Sequence, residues 1–280
     1  MIVRLQAVMI TGFHHNLLSE KGGKYMKIIS ISNIKGGGGK STTASVLAVG
    51  LVERGYRILL IDSDPQTNLT MCFIQEQADE KPSLYHVYSN GEAIDNVKVE
   101  VKDNLDLVIG DFELCNADLQ FAKAGRLKML QKAIRNINTK YDFIIIDTPP
   151  NLGILSLNAF IASDYMVVPM SADSFSLKGV RLLKQTLDDV ADETEKELPV
   201  AGILLTRYNN RTKVSKLLEK SLNSVAALLD TELFKSRIRQ AVVLQESQIA
   251  REDLFSYAAN AKVTEDYNGF IDEFLERVGE

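Results

Sequence analysis

The chain alternates short apolar runs with longer amphipathic stretches. The apolar runs predict strands over 27–34, 56–62, 141–147, 164–170 and 199–206. The amphipathic stretches predict helices over 41–55, 112–138, 152–162, 174–194, 212–229 and 262–278. Continuous apolar strands that alternate with helices are typical of a parallel sheet covered on both faces. We therefore predict one doubly wound α/β domain with a mostly parallel sheet, which binds its ligands beyond the carboxyl ends of the strands.

The first 25 residues precede the first convincing strand and lack the cleavage site of a signal peptide. The stretch "KGG" at 21–23 can be encoded AAA-GGA-GGA, which in a bacterial gene is a ribosome-binding sequence just upstream of Met26. We therefore expect residues 1–25 to be a leader and residues 26–280 to be the single domain. The alternative is a genuine N-terminal arm, and the intact mass of the natively expressed protein distinguishes the two.

Composition narrows the class of protein only modestly. The chain has 280 residues, of which 45% are apolar and 25% charged, and no run approaches the roughly 18 apolar residues that span a bilayer. The net charge of −5 argues against a surface that attracts nucleic acid everywhere, but it leaves room for a local basic patch. Cys72 and Cys115 fit no metal or redox spacing, so we expect buried thiols.

The stretch "NIKGGGGKSTT" at 33–43 joins the first predicted strand to the first predicted helix. Glycines let the backbone aim several N–H groups at one anion, and the helix N-terminus adds partial positive charge. Lys40 and Ser41 stand at the last two positions of the usual phosphate-binding loop. In that loop the lysine pairs with the β- and γ-phosphates, and the serine hydroxyl ligates Mg²⁺. Ile34 replaces the first glycine of that pattern, and an extra Lys35 opens the glycine run. The order of elements predicts a phosphate site that includes Gly36, Gly37, Gly38 and Gly39.

Acidic residues end two of the apolar strands. Asp147 ends "FIIID", the pattern expected of the acid that holds the Mg²⁺ shell in nucleotide hydrolases. Asp62 and Asp64 follow the second strand, where a carboxylate near the γ-phosphate can orient the attacking water. We interpret Asp142 instead as a residue that caps a turn.

Four ordered motifs now resemble those of the ParA/MinD group of deviant Walker ATPases. They are "KGGGGKST", "LLIDSDPQTNLT", "YDFIIIDTPPNLG" and "VVPMSADSFSLKGVRLL", and the resemblance runs from about residue 27 to the C-terminus. It implies that Lys35 reaches across an ATP-sandwich dimer to the phosphates of the other subunit. A comparable arginine finger is worth roughly 10³–10⁵ in rate.

The same resemblance implies a role for each residue of the nucleotide site. Lys40 would bind the phosphates, Ser41 would bind Mg²⁺ and Thr42 would meet the α-phosphate. Asp64 would position the hydrolytic water, and Asp147 would hold the metal shell through water. Thr148, Pro149 and Pro150 would open the switch segment that senses the γ-phosphate. The family usually has Val where Gly38 stands, so we expect a looser loop with altered nucleotide affinity.

The remaining features favour the ParA type, in its short form without a helix-turn-helix segment. The C-terminal "TEDYNGFIDEFLERVGE" is acidic and would be repelled by anionic lipid, so no membrane partner is expected. The segment 204–240 carries eight basic residues against three acidic ones, an excess of five. The resemblance implies non-specific DNA binding there, although Val243 stands where a DNA-contacting arginine is common. The candidate DNA-binding residues are Arg211, Lys213, Arg237 and Arg239.

We therefore expect a Mg²⁺-dependent ATPase for DNA partition, cytoplasmic and nucleoid-associated, with slow turnover on its own. It would form an ATP-bound homodimer on non-specific DNA, and a ParB-like, centromere-binding partner would stimulate hydrolysis and release. One alternative is an ATPase of the same fold that positions a non-DNA cargo. Two others are an ATP-dependent ligase or amidotransferase for small molecules and a nucleotide-binding scaffold without turnover.

Overall fold

A computed structural model describes residues 25–74, 81–121, 126–171, 176–209 and 213–280, with only the backbone described for 213–220. Its described strands form one eight-stranded sheet in the order β3-β4-β2-β5-β1-β6-β7-β8. Every neighbouring pair is parallel except β3 and β4, which are antiparallel. The strands are β1 (Lys27–Ile31), β2 (Ile58–Asp62), β3 (Lys98–Lys102), β4 (Leu105–Val108), β5 (Phe143–Asp147), β6 (Tyr165–Met170), β7 (Val200–Tyr208) and β8 (Leu233–Arg239).

Helices cover both faces of this sheet. They are α1 (Lys40–Val52), α2 (Asn68–Met71), α3 (Leu84–Asn90), α4 (Ile94–Val97), α5 (Ala117–Phe121), α6 (Met129–Arg135), α7 (Ile154–Ala162), α8 (Leu177–Thr194), α9 (Lys213–Leu228), α10 (Val243–Ala250), α11 (Leu254–Tyr257) and α12 (Lys262–Val278). Short 3₁₀ turns lie at Phe112–Asn116 and Arg126–Lys128. Within the described ranges, no helix is both long and apolar enough to cross a membrane.

The sheet has a separate hydrophobic core on each face. Along β2, Leu59 and Ile61 pack with α3, α7 and α8 on one face, whereas Ile58 and Leu60 pack with α1 and α12 on the other. Successive side chains of a strand point to opposite faces, so a strand buried on both sides must be apolar throughout. The continuous apolar runs are explained by this burial, and the predicted doubly wound α/β fold is confirmed.

Helices α1 and α12 lie against each other on one face of the sheet. A Cβ added at Gly50, in the last turn of α1, would overlap the Ile271 side chain and come within 2.9 Å of Phe255 Cζ. Arg54, just beyond the end of α1, binds Asp272 Oδ1 through Nη2 at 2.5 Å. The missing side chain therefore lets the C-terminal helix approach the backbone of the helix that begins at the glycine loop.

The predicted helix over 112–138 is wrong. The described part of this segment contains the two 3₁₀ turns, α5 and α6 rather than one helix. The side chain of Asn158 on α7 accepts a hydrogen bond from Leu130 N at 3.1 Å and donates one to Arg126 O at 2.9 Å. This contact from a distant helix fixes a new helix start at Met129, which a local amphipathic pattern does not reveal.

The buried-thiol prediction is also wrong in part. Cys115 is exposed on the first 3₁₀ turn and Cys72 is half-buried, and both are free thiols. Burial raises the pKa of the Cys72 thiol to about 11, with the charges of Asp62 and Asp147 adding to the shift. The expected leader is a prediction that lies outside the described residues, apart from Tyr25.

Candidate nucleotide site

The glycine loop runs from the end of β1 to the first turn of α1. Gly37 and Gly39 have φ angles of 78° and 86°, in the left-handed region where a side chain is strained. Gly39 caps α1, and its carbonyl accepts a hydrogen bond from Thr43 N at 2.8 Å. The loop therefore presents the N-terminus of a buried helix to the surface, an arrangement that attracts anions.

Two contacts hold the loop to the neighbouring strands β6 and β7. Asn33 Nδ2 donates to Pro169 O at 2.7 Å, and Asn33 Oδ1 accepts from the backbone N of Lys35 at 3.2 Å. Thr206 Oγ1 donates to Gly38 O at 2.9 Å. Gly38 is buried and has no positive φ, so its backbone conformation is open to any residue. The expected loosening of the loop at Gly38 stays a prediction, although the Thr206 contact restrains this residue.

The acids predicted for hydrolysis lie together at the carboxyl ends of β2 and β5. Asp147 pairs in register with Asp62 on one side and with Ile31 on the other. The next residue, Thr148, donates to Ile31 O through its hydroxyl at 3.0 Å. The start of the predicted switch segment is thus hydrogen-bonded to the strand that leads into the glycine loop.

Asp62 and Asp64 have different surroundings. Asp62 is fully buried and accepts hydrogen bonds from Thr70 N at 2.8 Å, Thr70 Oγ1 at 2.7 Å and Asp64 N at 3.2 Å. Burial raises its pKa to about 6, against the opposing effect of these donors. Asp64 lines the open cleft, and one of its oxygens accepts from Gln66 N at 3.0 Å. Asp62 therefore organises the turn, while Asp64 faces the space where a ligand would bind.

Asp147 and Lys40 are a buried pair of opposite charges. Burial raises the pKa of Asp147 well above its usual range, and the charge of Asp62 adds to that shift. The Ser41 hydroxyl and Lys40 favour the ionised carboxylate, but neither Asp147 oxygen accepts a hydrogen bond of ordinary geometry. Burial lowers the pKa of Lys40, and Asp147 and Asp64 oppose that change. Buried oxygens without a donor are rare, and an ion or a water bound to an ion satisfies them.

The residues present fit magnesium bound together with a phosphate ligand. Among the residues that the structure describes, no group of three His, Cys, Asp or Glu side chains could hold a metal ion directly. Mg²⁺ usually keeps several waters and takes one or two protein ligands plus substrate phosphates. Ser41 at the helix start and the orphaned carboxylate of Asp147 supply the two protein groups of such a site.

Two adjoining clefts open beside the first turn of α1. The phosphate cleft, of about 430 Å³, is lined by the glycine loop, Lys40, Ser41, Asp64 and Pro150. The side cleft, of about 200 Å³, is lined by Thr206, Arg207 and the segment 238–245. We interpret the larger cleft as the space for phosphates, because the glycine loop and Lys40 line it, and the side cleft as the space for a nucleoside. Thr206 of the side cleft, and Gln248 between the clefts, were missed by sequence reasoning because no motif marks them.

Two of the predicted DNA-binding residues, Arg237 and Arg239, lie on the edge strand β8. Arg239 forms a bidentate ion pair with Asp266, with Nε–Oδ2 at 2.6 Å and Nη2–Oδ1 at 2.7 Å. Arg237 donates from Nη1 to Lys235 O at 2.7 Å, and its guanidinium lies 5.8 Å from the Tyr208 ring centroid. A DNA phosphate would have to compete with the Asp266 carboxylate for Arg239. The side chains of the other two candidates, Arg211 and Lys213, lie outside the described residues.

A doubly wound sheet, a glycine loop that starts a buried helix, and paired acids at the strand ends define a P-loop nucleotide-binding protein. A family model described as an AAA domain matches residues 26–200. The chromosome partitioning protein ParA of Myxococcus xanthus is 30% identical over 254 residues, which cover 90% of this chain and 88% of that protein. The chain belongs to the ParA-type family of P-loop ATPases.

Solved structures share the same fold. A plasmid partition protein from Borrelia burgdorferi has a TM-score of 0.73 and 26% identity, covering 91% of this chain and 100% of that one. Cobyrinic acid a,c-diamide synthase from Mycobacterium smegmatis, with bound ADP and magnesium, has a TM-score of 0.78 and 26% identity. The match covers 91% of this chain and 96% of the synthase chain. The fold is therefore shared by partition proteins and by an enzyme that acts on a small molecule.

Proposed function

We propose that this protein is a Mg²⁺-dependent ATPase of DNA partition that switches between an ATP-bound dimer on DNA and a released form. The observation that carries the proposal is the placement of Lys35. This second lysine lies exposed at the mouth of a loop whose own cleft already contains a buried Lys40. The exposure of this cation beside the phosphate site supports an action on the phosphates of a second subunit.

The residues divide the work of hydrolysis. The loop N–H groups and Lys40 would bind the phosphates, and Ser41 and Asp147 would hold Mg²⁺, Asp147 through water. Bound Mg²⁺ would neutralise charge that develops on the phosphates. Asp64 orients the attacking water and accepts a hydrogen bond from it at the carboxylate that faces the cleft. Lys35 of the other subunit stabilises the transition state, so turnover is slow until two ATP-bound subunits meet and a partner stimulates them.

Binding to DNA would use the basic residues of 204–240, through phosphate contacts without base readout. Lys235, Arg237 and Arg239 occupy alternate positions of β8 and so share one face of the strand, and Lys235 and Arg239 are exposed there. The ParA-type relatives support this assignment. The partner would be a ParB-like protein bound to the cargo DNA, and the protein would be cytoplasmic and associated with the nucleoid.

Binding to a random-sequence DNA duplex tests this proposal. We expect binding with ATP and Mg²⁺ but not with ADP or without nucleotide, and the logarithm of the affinity should fall linearly with that of the salt concentration. Lys40→Ala should abolish DNA binding because it cannot hold ATP. Arg237→Ala should weaken it and flatten the salt dependence, whereas Arg135→Ala, a matched change of an exposed arginine on α6, should not. DNA binding independent of nucleotide would refute the switch.

A second candidate is an ATP-dependent ligase or amidotransferase, favoured by the structural likeness to cobyrinic acid a,c-diamide synthase. Absence of DNA binding in every nucleotide state would favour this candidate over partition. An ATPase that positions a non-DNA cargo would use the same cycle of DNA binding and release as a partition ATPase. A gene for a small DNA-binding protein immediately downstream would favour partition over this alternative.

A further inference from the structure

Helix α10 contacts the glycine-loop helix through one polar side chain. Gln248 Nε2 donates a hydrogen bond to Thr42 Oγ1 at 2.9 Å, across 206 positions of sequence. Both residues are half-buried, and Thr42 is the third residue of α1. The amide of Gln248 is thus held against the hydroxyl expected to meet the α-phosphate of a nucleotide.

Gln248 also lies where the two clefts meet. Of the residues around the phosphate cleft and the side cleft, the four that line both are Gly39, Thr42, Arg207 and Gln248. A nucleotide that spans the clefts has its phosphates in one and its nucleoside in the other. The junction between them would be the α-phosphate and the ribose carbon that bears it, so a nucleotide bound in this way would have that part next to Gln248.

The backbone that carries Gln248 is fixed at the end of α10. Arg251, in the left-handed conformation at φ 56°, ends the helix and donates its N–H to Gln248 O. Two residues on, Asp253 Oδ2 binds Lys102 Nζ of the edge strand β3 at 3.2 Å. A side chain on such an anchored turn loses little further freedom when it binds a ligand, which favours a positioning role.

We infer that Gln248 is a nucleotide-positioning residue whose side-chain amide donates to an oxygen of the α-phosphate, next to Thr42. The inference rests on the proposed function only in taking the ligand to be ATP or ADP. A primary amide has two donor hydrogens, and Thr42 needs only one of them. The opposing interpretation is that Gln248 merely ties α10 to α1 and has no contact with the ligand.

Substitutions of opposite charge at position 248 separate the two interpretations. A phosphate contact predicts that Gln248→Lys binds MgATP and MgADP as tightly as the wild type or more tightly, while Gln248→Glu binds both about 100-fold more weakly. Gln248→Ala should bind both about 10-fold more weakly, the effect of losing a donor to a charged acceptor. If Gln248 only ties α10 to α1, nucleotide affinity should fall in all three variants, because none preserves the hydrogen bond to Thr42 in its present form.

The measurement is calorimetric titration of each variant with MgATP and MgADP at two salt concentrations. The Glu penalty should shrink at high salt because charge repulsion is screened, whereas the Ala penalty should not. Gln185→Glu, an exposed glutamine on α8, adds the same charge away from the clefts and should leave both affinities unchanged. Melting temperatures without nucleotide show whether each variant is folded, and the Lys variant keeps the test decisive if the Ala variant unfolds.

Each result has one interpretation. Weakened binding of ATP alone would place the contact at the γ-phosphate and overturn the inference, as would equal affinity of the Lys and Glu variants. If the wild type bound neither ATP nor ADP, the proposed function itself would be refuted, whatever the variants at position 248 did.

Discussion

Replacing Asp147 by Asn should stabilise the nucleotide-free protein while impairing its metal site. The side chain is fully buried, neither oxygen accepts a hydrogen bond, and the pKa is raised well above its usual range. A raised pKa means that the surroundings as a whole disfavour the ionised form, even though Lys40 favours it. The neutral amide of Asn has nearly the same shape and removes that unfavourable charge.

The expected size follows from the energetics of buried polar groups. A buried acceptor left without a partner costs about 1–3 kcal/mol, and more when it is charged. The amide of Asn also lacks a partner there, so the substitution removes only the additional cost of the charge, and we expect the free energy of unfolding at pH 8 to rise by about 1 kcal/mol. For a chain of this length about 1 kcal/mol corresponds to about 2–4 °C in melting temperature.

The sign of the pH dependence provides an internal check. The ionised carboxylate destabilises the folded protein above its raised pKa, and protonation removes that cost as the pH falls through this value. The advantage of Asp147→Asn should therefore be present at pH 8 and fade as the pH falls toward 4. An advantage of equal size at every pH would contradict the assignment to the buried charge.

The assay is thermal unfolding of both proteins across this pH range, with and without Mg²⁺ and ADP. If Asp147 helps to hold the metal shell, as proposed, the wild type should gain more from MgADP than the variant. Asp142→Asn is the matched control at the other end of β5, since its amide oxygen can still accept from Arg57 N, now bound at 2.8 Å. A nucleotide-free Asp147→Asn that melted below the wild type at pH 8 would refute the reasoning.

Three further substitutions test the site and the fold. Lys35→Ala should bind ATP with wild-type affinity in titration but dimerise and hydrolyse poorly, and a wild-type rate would remove the trans role of this lysine. Asp64→Ala should accumulate an ATP-bound dimer that stays on DNA, and unchanged phosphate release would show that another group positions the water. Gly202→Ala on β7 should lower the free energy of unfolding by about 1–3 kcal/mol, measured by urea titration, because the new Cβ would overlap Arg277 and the buried ring of Phe234.

The nucleotide loop and the central strands could be predicted because their signals are local. Residues 33–43 specify the loop by glycine content and by the Lys-Ser pair that starts α1, and both act within a few residues. The strand ends at Asp62 and Asp147 were visible because both strands are buried on two faces and end abruptly at a charge. The roles of these residues in hydrolysis stay predictions that await the experiments above.

The parts that escaped prediction depend on distant contacts. Strand β8 contains three basic residues and alternates irregularly, so only its pairing with β7 reveals it as a strand. The ion pair of Arg239 joins residues 27 positions apart, and no sequence pattern indicates that this arginine already has a partner. The position of Gln248 beside the glycine-loop helix could not be predicted for the same reason, because its hydrogen bond to Thr42 joins residues 206 positions apart.

The close packing of α12 against α1 has a consequence for how the protein is made. The glycine loop and α1 leave the ribosome early, but α12, which covers the face of α1 around Gly50, is synthesised about 200 residues later. At roughly 5–20 residues per second this interval lasts on the order of ten seconds or more. During that time α1 lacks its C-terminal cover, so we expect the helix that follows the glycine loop to reach its final packing only when synthesis is nearly finished.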